Sequence, residues 1–199
     1  MIKNKIKILK EKFKKFEIDG YIVPKNDEYF SEYAKNDRLK NISNFSGSAG
    51  LAVILKKKNY LFVDGRYTIQ AQQESGTNFN IIEIHKKLPH TIIKNYNLGY
   101  DSKLFTSSKL KNYFSNNNLI SINDNLIDQI FKFKEKKTKP FYSLDKNITG
   151  ETHKLKILKI TNFLKSNNAD YLFISAPENV AWLLNIRGYD NPNSPIPNA

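Results

Sequence analysis

Ile6, Leu9, Phe13 and Phe16 recur at the three- and four-residue spacing of a helix, and Gly20 interrupts the pattern just before the apolar run Tyr21-Ile22-Val23-Pro24. A helix followed by a strand is the reading. Two further apolar runs, Leu51 to Leu55 and Tyr60 to Val63, are joined by Lys56-Lys57-Lys58-Asn59, a length that suits a hairpin. Tyr67, Gln70, Ala71 and Glu74 predict a helix over 66–75, and Gly76 ends it. The remaining pattern predicts strands over 80–84, 98–100 and 119–122, alternating with helices over 88–96, 107–114 and 125–131. Strands separated by helical segments of about ten residues predict an α/β fold, a sheet flanked by helices, and the hairpin makes that sheet mixed.

After Phe131 the periodicity dissolves into a lysine-rich stretch closed by Pro140. Residues 132–144 are therefore read as a linker between a first domain, 1–131, and a second, 145–199. In the second, Thr149-Gly150-Glu151-Thr152 opens a long helix with Leu155, Leu158, Phe163 and Leu164 expected inward. A strand over 169–175 and a helix over 177–184, with Pro177 in its first turn, follow. One strand between two helices cannot complete a sheet, so this segment is expected to be the start of a second α/β domain of similar type, incomplete as it stands.

Composition changes the picture chiefly by exclusion. The 199 residues carry a net charge of +13, which invites a nucleic-acid reading, but the basic residues are 29 Lys and only 3 Arg. Asn (25) and Ile (23) are inflated with Lys, the signature of A/T-rich codons rather than of phosphate recognition. Groove and phosphate recognition favours the arginine fork, so no specific nucleic-acid binding is expected, and the seven lysines from Lys3 to Lys15 are read as a solvated helix face. The absence of cysteine removes disulfides and thiolate chemistry, and His85, His90 and His153 are too scattered for a histidine-built metal site. No apolar run approaches the roughly 20 residues that span a bilayer. A soluble, cytoplasmic protein without membrane partners is expected.

Three stretches stand out from this background. Asn44-Phe45-Ser46-Gly47-Ser48-Ala49-Gly50 is a turn of small residues entering a strand. It suits close packing, or else a phosphate cradle, for which the following helix and Lys-Ser/Thr pair are lacking. Asp64-Gly65-Arg66-Tyr67 marks a strand end, a turn and a helix start, and residues 177–188 hold the one tryptophan, Trp182. Phe45 to Gly50, Asp64 to Tyr67 with Gln70-Ala71, and Ala181 to Gly188 followed by Asp190 and Pro192 resemble, in order and separation, the N-terminal half of the Xaa-Pro aminopeptidases of the creatinase/prolidase superfamily. The segment Trp182-Leu183-Leu184-Asn185-Ile186-Arg187-Gly188 is similar to that of the longer branch, in which two creatinase-type N-terminal domains precede a catalytic domain.

The resemblance implies a creatinase N-terminal fold and a parent enzyme that removes the residue before a proline at the second position of a peptide. It further implies a homo-oligomer and two divalent metals, manganese, held by Asp, Asp, His, Glu and Glu of a C-terminal domain, where metal-bound hydroxide attacks the scissile carbonyl. None of those ligand positions falls within residues 1–199, so no catalytic residue, metal ligand or cofactor is expected in this chain. A non-catalytic peptide- or protein-binding module of pseudo-peptidase type is the alternative.

Gly47, Ser48, Gly50, Asp64, Gly65, Tyr67, Trp182, Asn185, Arg187 and Gly188 are taken as structural motif residues, with Trp182, Leu183 and Leu184 in the second core. Arg66 occupies the first turn of a helix, where the dipole disfavours a cation by about 0.3–1 kcal/mol. It therefore calls for a partner, either a nearby carboxylate such as Asp64 or, as the resemblance implies, a peptide carboxylate or the neighbouring catalytic domain. Asp27, Glu28 and Glu32 follow a proline-ended strand and resemble the family's acidic loop.

Overall fold

Uninterrupted apolar strands must be covered on both faces, and the described residues of this computed structural model show how. They are 1–31, 34, 36–131, 133, 139–189 and 194–197. The chain divides into two units, Met1–Lys134 and Glu135–Ala199.

In the first unit, strand β1 (Gly20–Pro24) follows helix α1 (Ile2–Glu11), and the hairpin is β2 (Gly50–Leu55) and β3 (Asn59–Val63). With β4 (Asn80–Glu83), β5 (Asn97–Tyr100) and β6 (Asn118–Ser121) these form a mixed six-stranded sheet in the order β4-β3-β2-β1-β5-β6. β2 is antiparallel to both neighbours, and the other pairings are parallel. Alternation along the strands sends Tyr21, Val23, Ala52, Ile54, Leu61 and Val63 to one face, against Ile6, Leu9 and Phe13. Ile22, Leu51, Val53, Leu55 and Phe62 go to the other, against Ile93 and Phe114. Helices α2 (Arg38–Ser43) and α3 (Thr68–Ser75) lie with α1 on the first face, and α4 (Pro89–Ile92) and α5 (Ser107–Phe114) cover the second.

Three local readings differ from expectation. The helix expected over 88–96 is the single turn α4, because Asn95 adopts a left-handed conformation (φ 63°) and its N–H turns to Asn116, feeding β5. The helix expected over 125–131 is a series of turns. Asn125 Oδ1 captures the N–H of Ile127, and the N–H of Leu126 goes to the Tyr21 hydroxyl, so side chains outcompete the helical ladder. Helix α2, unforeseen, is capped by Asp37, whose carboxylate accepts from Lys40 N–H at 2.9 Å, and ends at Asn44 in the left-handed region.

In the second unit, β7 (Phe141–Ser143) pairs antiparallel with β8 (Ile186–Gly188), and between them run α6 (Lys146–Thr149), α7 (His153–Ser166) and α8 (Pro177–Leu184). The expected linker 132–144 is thus cut short by β7, while 132 and 134–138 lie outside the described residues. Residues 171–176 join no ladder, in place of the strand expected over 169–175. Leu155, Leu158 and Phe163, expected inward, are 47, 54 and 65 % exposed. The sheet among the described residues of this unit is the β7–β8 pair, too small to cover the apolar face of a long helix.

Arg38 ties the turns of 125–131 to α2. Buried, it donates from Nε and Nη2 to the two carboxylate oxygens of Asp128 at 2.7 and 2.8 Å, with Glu28 at 3.6 Å from Nη1. Burial works against its charge, but Asp128 and Glu28 outweigh it and leave the guanidinium more firmly protonated than usual. Arg38→Lys keeps the charge but loses the fork and is expected to cost about 1–2 kcal/mol in urea unfolding. Arg38→Ala, which strands Asp128, is expected to cost about 2–3 kcal/mol. Equal stability of all three proteins would remove Arg38 from this role.

Candidate functional site

The first two motifs meet in space. β2 and β3 are antiparallel with Gly50 opposite Val63, so the turn before β2 and the turn after β3 emerge side by side. Phe45 packs edge-on against Tyr67, ring centroids 5.8 Å apart, and the Ser48 and Tyr67 hydroxyls share a hydrogen bond of 2.9 Å. A Cβ on Gly47 would overlap the Phe45 ring, and one on Gly50 would stand 2.9 Å from that ring and 3.0 Å from Leu39, so both glycines permit close approach. Ser46 donates to Glu74 from its N–H (2.7 Å) and its hydroxyl (2.6 Å), while Gln70 donates to both Ser46 and Glu74. One backbone donor of the turn, Ser46 N–H, is thus bound to a carboxylate where a cradle would offer it to phosphate, which favours the packing role of 44–50.

Glu74 had entered the sequence pattern only as part of a helical face. Its position four residues after Gln70 puts both on one side of α3, which is the signal that could have singled it out. Burial alone would raise its carboxyl, but the hydrogen bonds from Ser46 and Gln70 prevail and hold it below the ordinary glutamate value.

Asp64 caps a 3-10 turn, Gly65–Tyr67, that leads into α3. Its Oδ1 accepts from Arg66 N–H (3.0 Å) and Arg66 Nε (2.9 Å), and its Oδ2 is 3.6 Å from His85 Nε2. The Arg66 side chain, followed by its backbone N–H, holds the Asp64 carboxyl below the usual carboxylate range. Arg66 also lies over the Tyr67 ring at 5.4 Å, with its side chain largely exposed, and Gly65 sits against the Glu83 carboxylate. Asp27 closes the loop after β1 by accepting from the N–H groups of Tyr29 and Ser31 and from the Ser31 hydroxyl. Glu28 faces Arg38, and Glu32 lies outside the described residues.

The third motif organises the second unit around Asn185. This residue ends α8 in the left-handed region (φ 55°, ψ 39°), accepts from Lys156 Nζ at 2.7 Å and donates to Thr149 Oγ1 and the Glu151 carbonyl. Lys156, buried, also donates to the Trp182 carbonyl (2.8 Å) and stands 4.2 Å above the Trp182 ring. No sequence signal marked it, because one lysine among 29 carries no pattern. Arg187 Nη1 donates to the Ala181 and Ile186 carbonyls, and Gly188 N–H donates to Pro195. Trp182 is not in a core: it is 56 % exposed, and Leu183 is half-buried and Leu184 exposed beside it.

Among the described residues no group of three or more His, Asp or Glu could hold a metal ion, so these residues do not fit a metal centre. No helix among them is long and apolar enough to cross a membrane.

Comparison with known proteins now gives these motifs a context. Models of the Creatinase/Prolidase N-terminal domain match residues 5–130 and, in a second version, 132–199. The chain belongs to the creatinase/prolidase N-terminal domain family. Similar proteins include a probable Xaa-Pro aminopeptidase P of Laccaria bicolor, 31% identical over 94% of this chain and 32% of its own length. Xaa-Pro aminopeptidase 1 of Dictyostelium discoideum is 33% identical over 98% of this chain and 35% of its own. The chain spans about a third of the length of these relatives. Among solved structures, the X-prolyl aminopeptidase of Caenorhabditis elegans, described as a cytosolic enzyme with a di-nuclear active site, superposes with a TM-score of 0.83 at 26% identity. That match covers 98% of this chain and 36% of the enzyme. The prolidase of Pyrococcus horikoshii OT3 shares the fold, with a TM-score of 0.51 at 21% identity over 68% of this chain and 37% of its own.

Glu74→Gln is expected to lose the charge-assisted acceptor at Ser46 and lower stability by about 1–2 kcal/mol near neutral pH. Because the folded carboxyl titrates below its unfolded value, the advantage of Glu74 is complete above the ordinary glutamate pKa of about 4.3. It fades as pH falls through the depressed folded value. Thermal melts of both proteins across that range check this, and a pH-independent difference would count against the hydrogen-bonded carboxylate.

Proposed function

We propose that this chain is the N-terminal portion of a metal-dependent Xaa-Pro aminopeptidase and that it is itself non-catalytic. The first unit is a creatinase-type domain and the second is part of another. In the whole protein, a cytoplasmic homo-oligomer, they shape substrate access and subunit contacts. Hydrolysis before proline takes place elsewhere in the polypeptide, at a pair of divalent metals, manganese by preference. The observation that carries this reading is the match to the Caenorhabditis elegans enzyme across 98% of the chain, through both units.

Arg66 is the residue of this chain proposed for the substrate side. Its pairing with Asp64 fixes the turn, and its side chain is 73 % exposed.

The purified 199-residue chain is expected to hydrolyse no Xaa-Pro peptide and to retain no stoichiometric manganese or zinc. Chelator-sensitive hydrolysis that copurifies with the chain would overturn the proposal. In a longer protein carrying the catalytic domain, Arg66→Lys retains charge without the fork. A loss of tenfold or more in kcat/KM with unchanged melting temperature places Arg66 on the substrate side, and a lowered melting temperature with intact kcat/KM makes it structural.

A further inference from the structure

Open α/β sheets bind ligands at the carboxyl ends of their parallel strands, and the first unit has a cavity of about 380 Å³ there. It lies beyond the ends of β1, β3 and β4, within the size range of small-ligand sites, roughly 300–1,000 Å³. Phe30, Ile84 and Tyr113 supply accessible apolar wall, Leu51 and Phe62 lie buried behind it, and Lys25, Asp64, His85 and Lys109 are its Lys, Asp and His lining. Three of these four are matched: Lys25 by Asp37, and Asp64 by Arg66 and His85. Lys109 has no carboxylate within ion-pair distance among the described residues. Its ammonium lies 5.9 Å from the Phe105 ring.

The position of Lys109 is costly in two ways. It sits in the first turn of α5, where the helix dipole already presents positive charge, and it is partly desolvated, which lowers its ammonium pKa. An anion received from outside would offset both. A carboxylate fits the donor, and the aromatic and aliphatic wall fits an apolar body attached to it.

We propose that this cavity binds an apolar carboxylate, with the carboxylate on Lys109 and the apolar body against Phe30, Ile84 and Tyr113. The ligand chemistry is shared by the C-terminus of a peptide ending in an apolar residue and by a free aryl- or alkyl-carboxylic acid. It stands independently of the aminopeptidase reading.

The test is titration of the 199-residue chain with N-acetyl-L-phenylalanine, its C-terminal amide and 3-phenylpropionate, followed by two-dimensional amide NMR and calorimetry. Saturable binding of at least one acid is expected, with shifts confined to residues lining the cavity and at least tenfold weaker binding of the amide. Preference for N-acetyl-L-phenylalanine identifies a peptide terminus, and preference for 3-phenylpropionate a free acid. Lys109→Met, which keeps the apolar stem, is expected to weaken the acids at least tenfold while melting at the same temperature as the parent or higher. No saturable binding of either acid, equal binding of acid and amide, or binding unchanged in a folded Lys109→Met chain would each overturn the proposal. Should Lys109→Met fail to fold, Lys109→Arg, which retains the charge, is expected to keep acid binding within about threefold of the parent; its loss would likewise refute the assignment.

Discussion

The first unit depends on burying β1, β2 and β3 on both faces. Every residue of β1 is buried, as are Leu51 to Leu55 of β2, so the sheet can tolerate polar groups only at the strand ends. The same constraint fixes register, since a one-residue slip would exchange the residues that meet α1 for those that meet α5. Once Gly50 stands opposite Val63, the Phe45–Gly50 turn and the Asp64–Tyr67 turn have to lie together. Two motifs separated by a hairpin become one assembly of Phe45, Tyr67, Ser46 and Glu74.

How much of this could be read beforehand depended on whether local pattern and tertiary context agreed. The hairpin and α5 were legible because strong apolar runs or helical spacing coincide with clear breakers. Helix α2 was not, because its six residues carry too little periodicity and its evidence lies in the caps, Asp37 and Asn44. The segment 125–131 has helical spacing, yet Asn125 and Tyr21 divert its backbone donors. Sequence located the three motifs but not their partners. Arg66 stood out against a lysine background and does engage Asp64, whereas Glu74 and Lys156 acquire meaning chiefly from Ser46 and Asn185, distant in sequence, and Lys109 from the cavity it lines.

The second unit shows the reverse balance. Its hydrogen bonding is concentrated at Asn185, where α8 ends, α6 and α7 are joined through Thr149 and Glu151, and Lys156 brings a positive charge to the helix C-terminus. Polar bonds hold these helices where apolar coverage is sparse, and that explains why a motif read as core around Trp182 proves to be a capping arrangement with an exposed indole.

The arrangement of Lys156 over Trp182 has a spectroscopic consequence. Trp182 is the chain's one tryptophan, while the first unit is furnished with tyrosines alone among strongly absorbing side chains. Selective excitation of the indole therefore interrogates the second unit by itself. An ammonium 4.2 Å from the ring makes its emission sensitive to the integrity of the α8 cap. Indole fluorescence thus follows the melting of the second unit without a label or a cut, whereas tyrosine signals arise from both units, Tyr142, Tyr171 and Tyr189 belonging to the second.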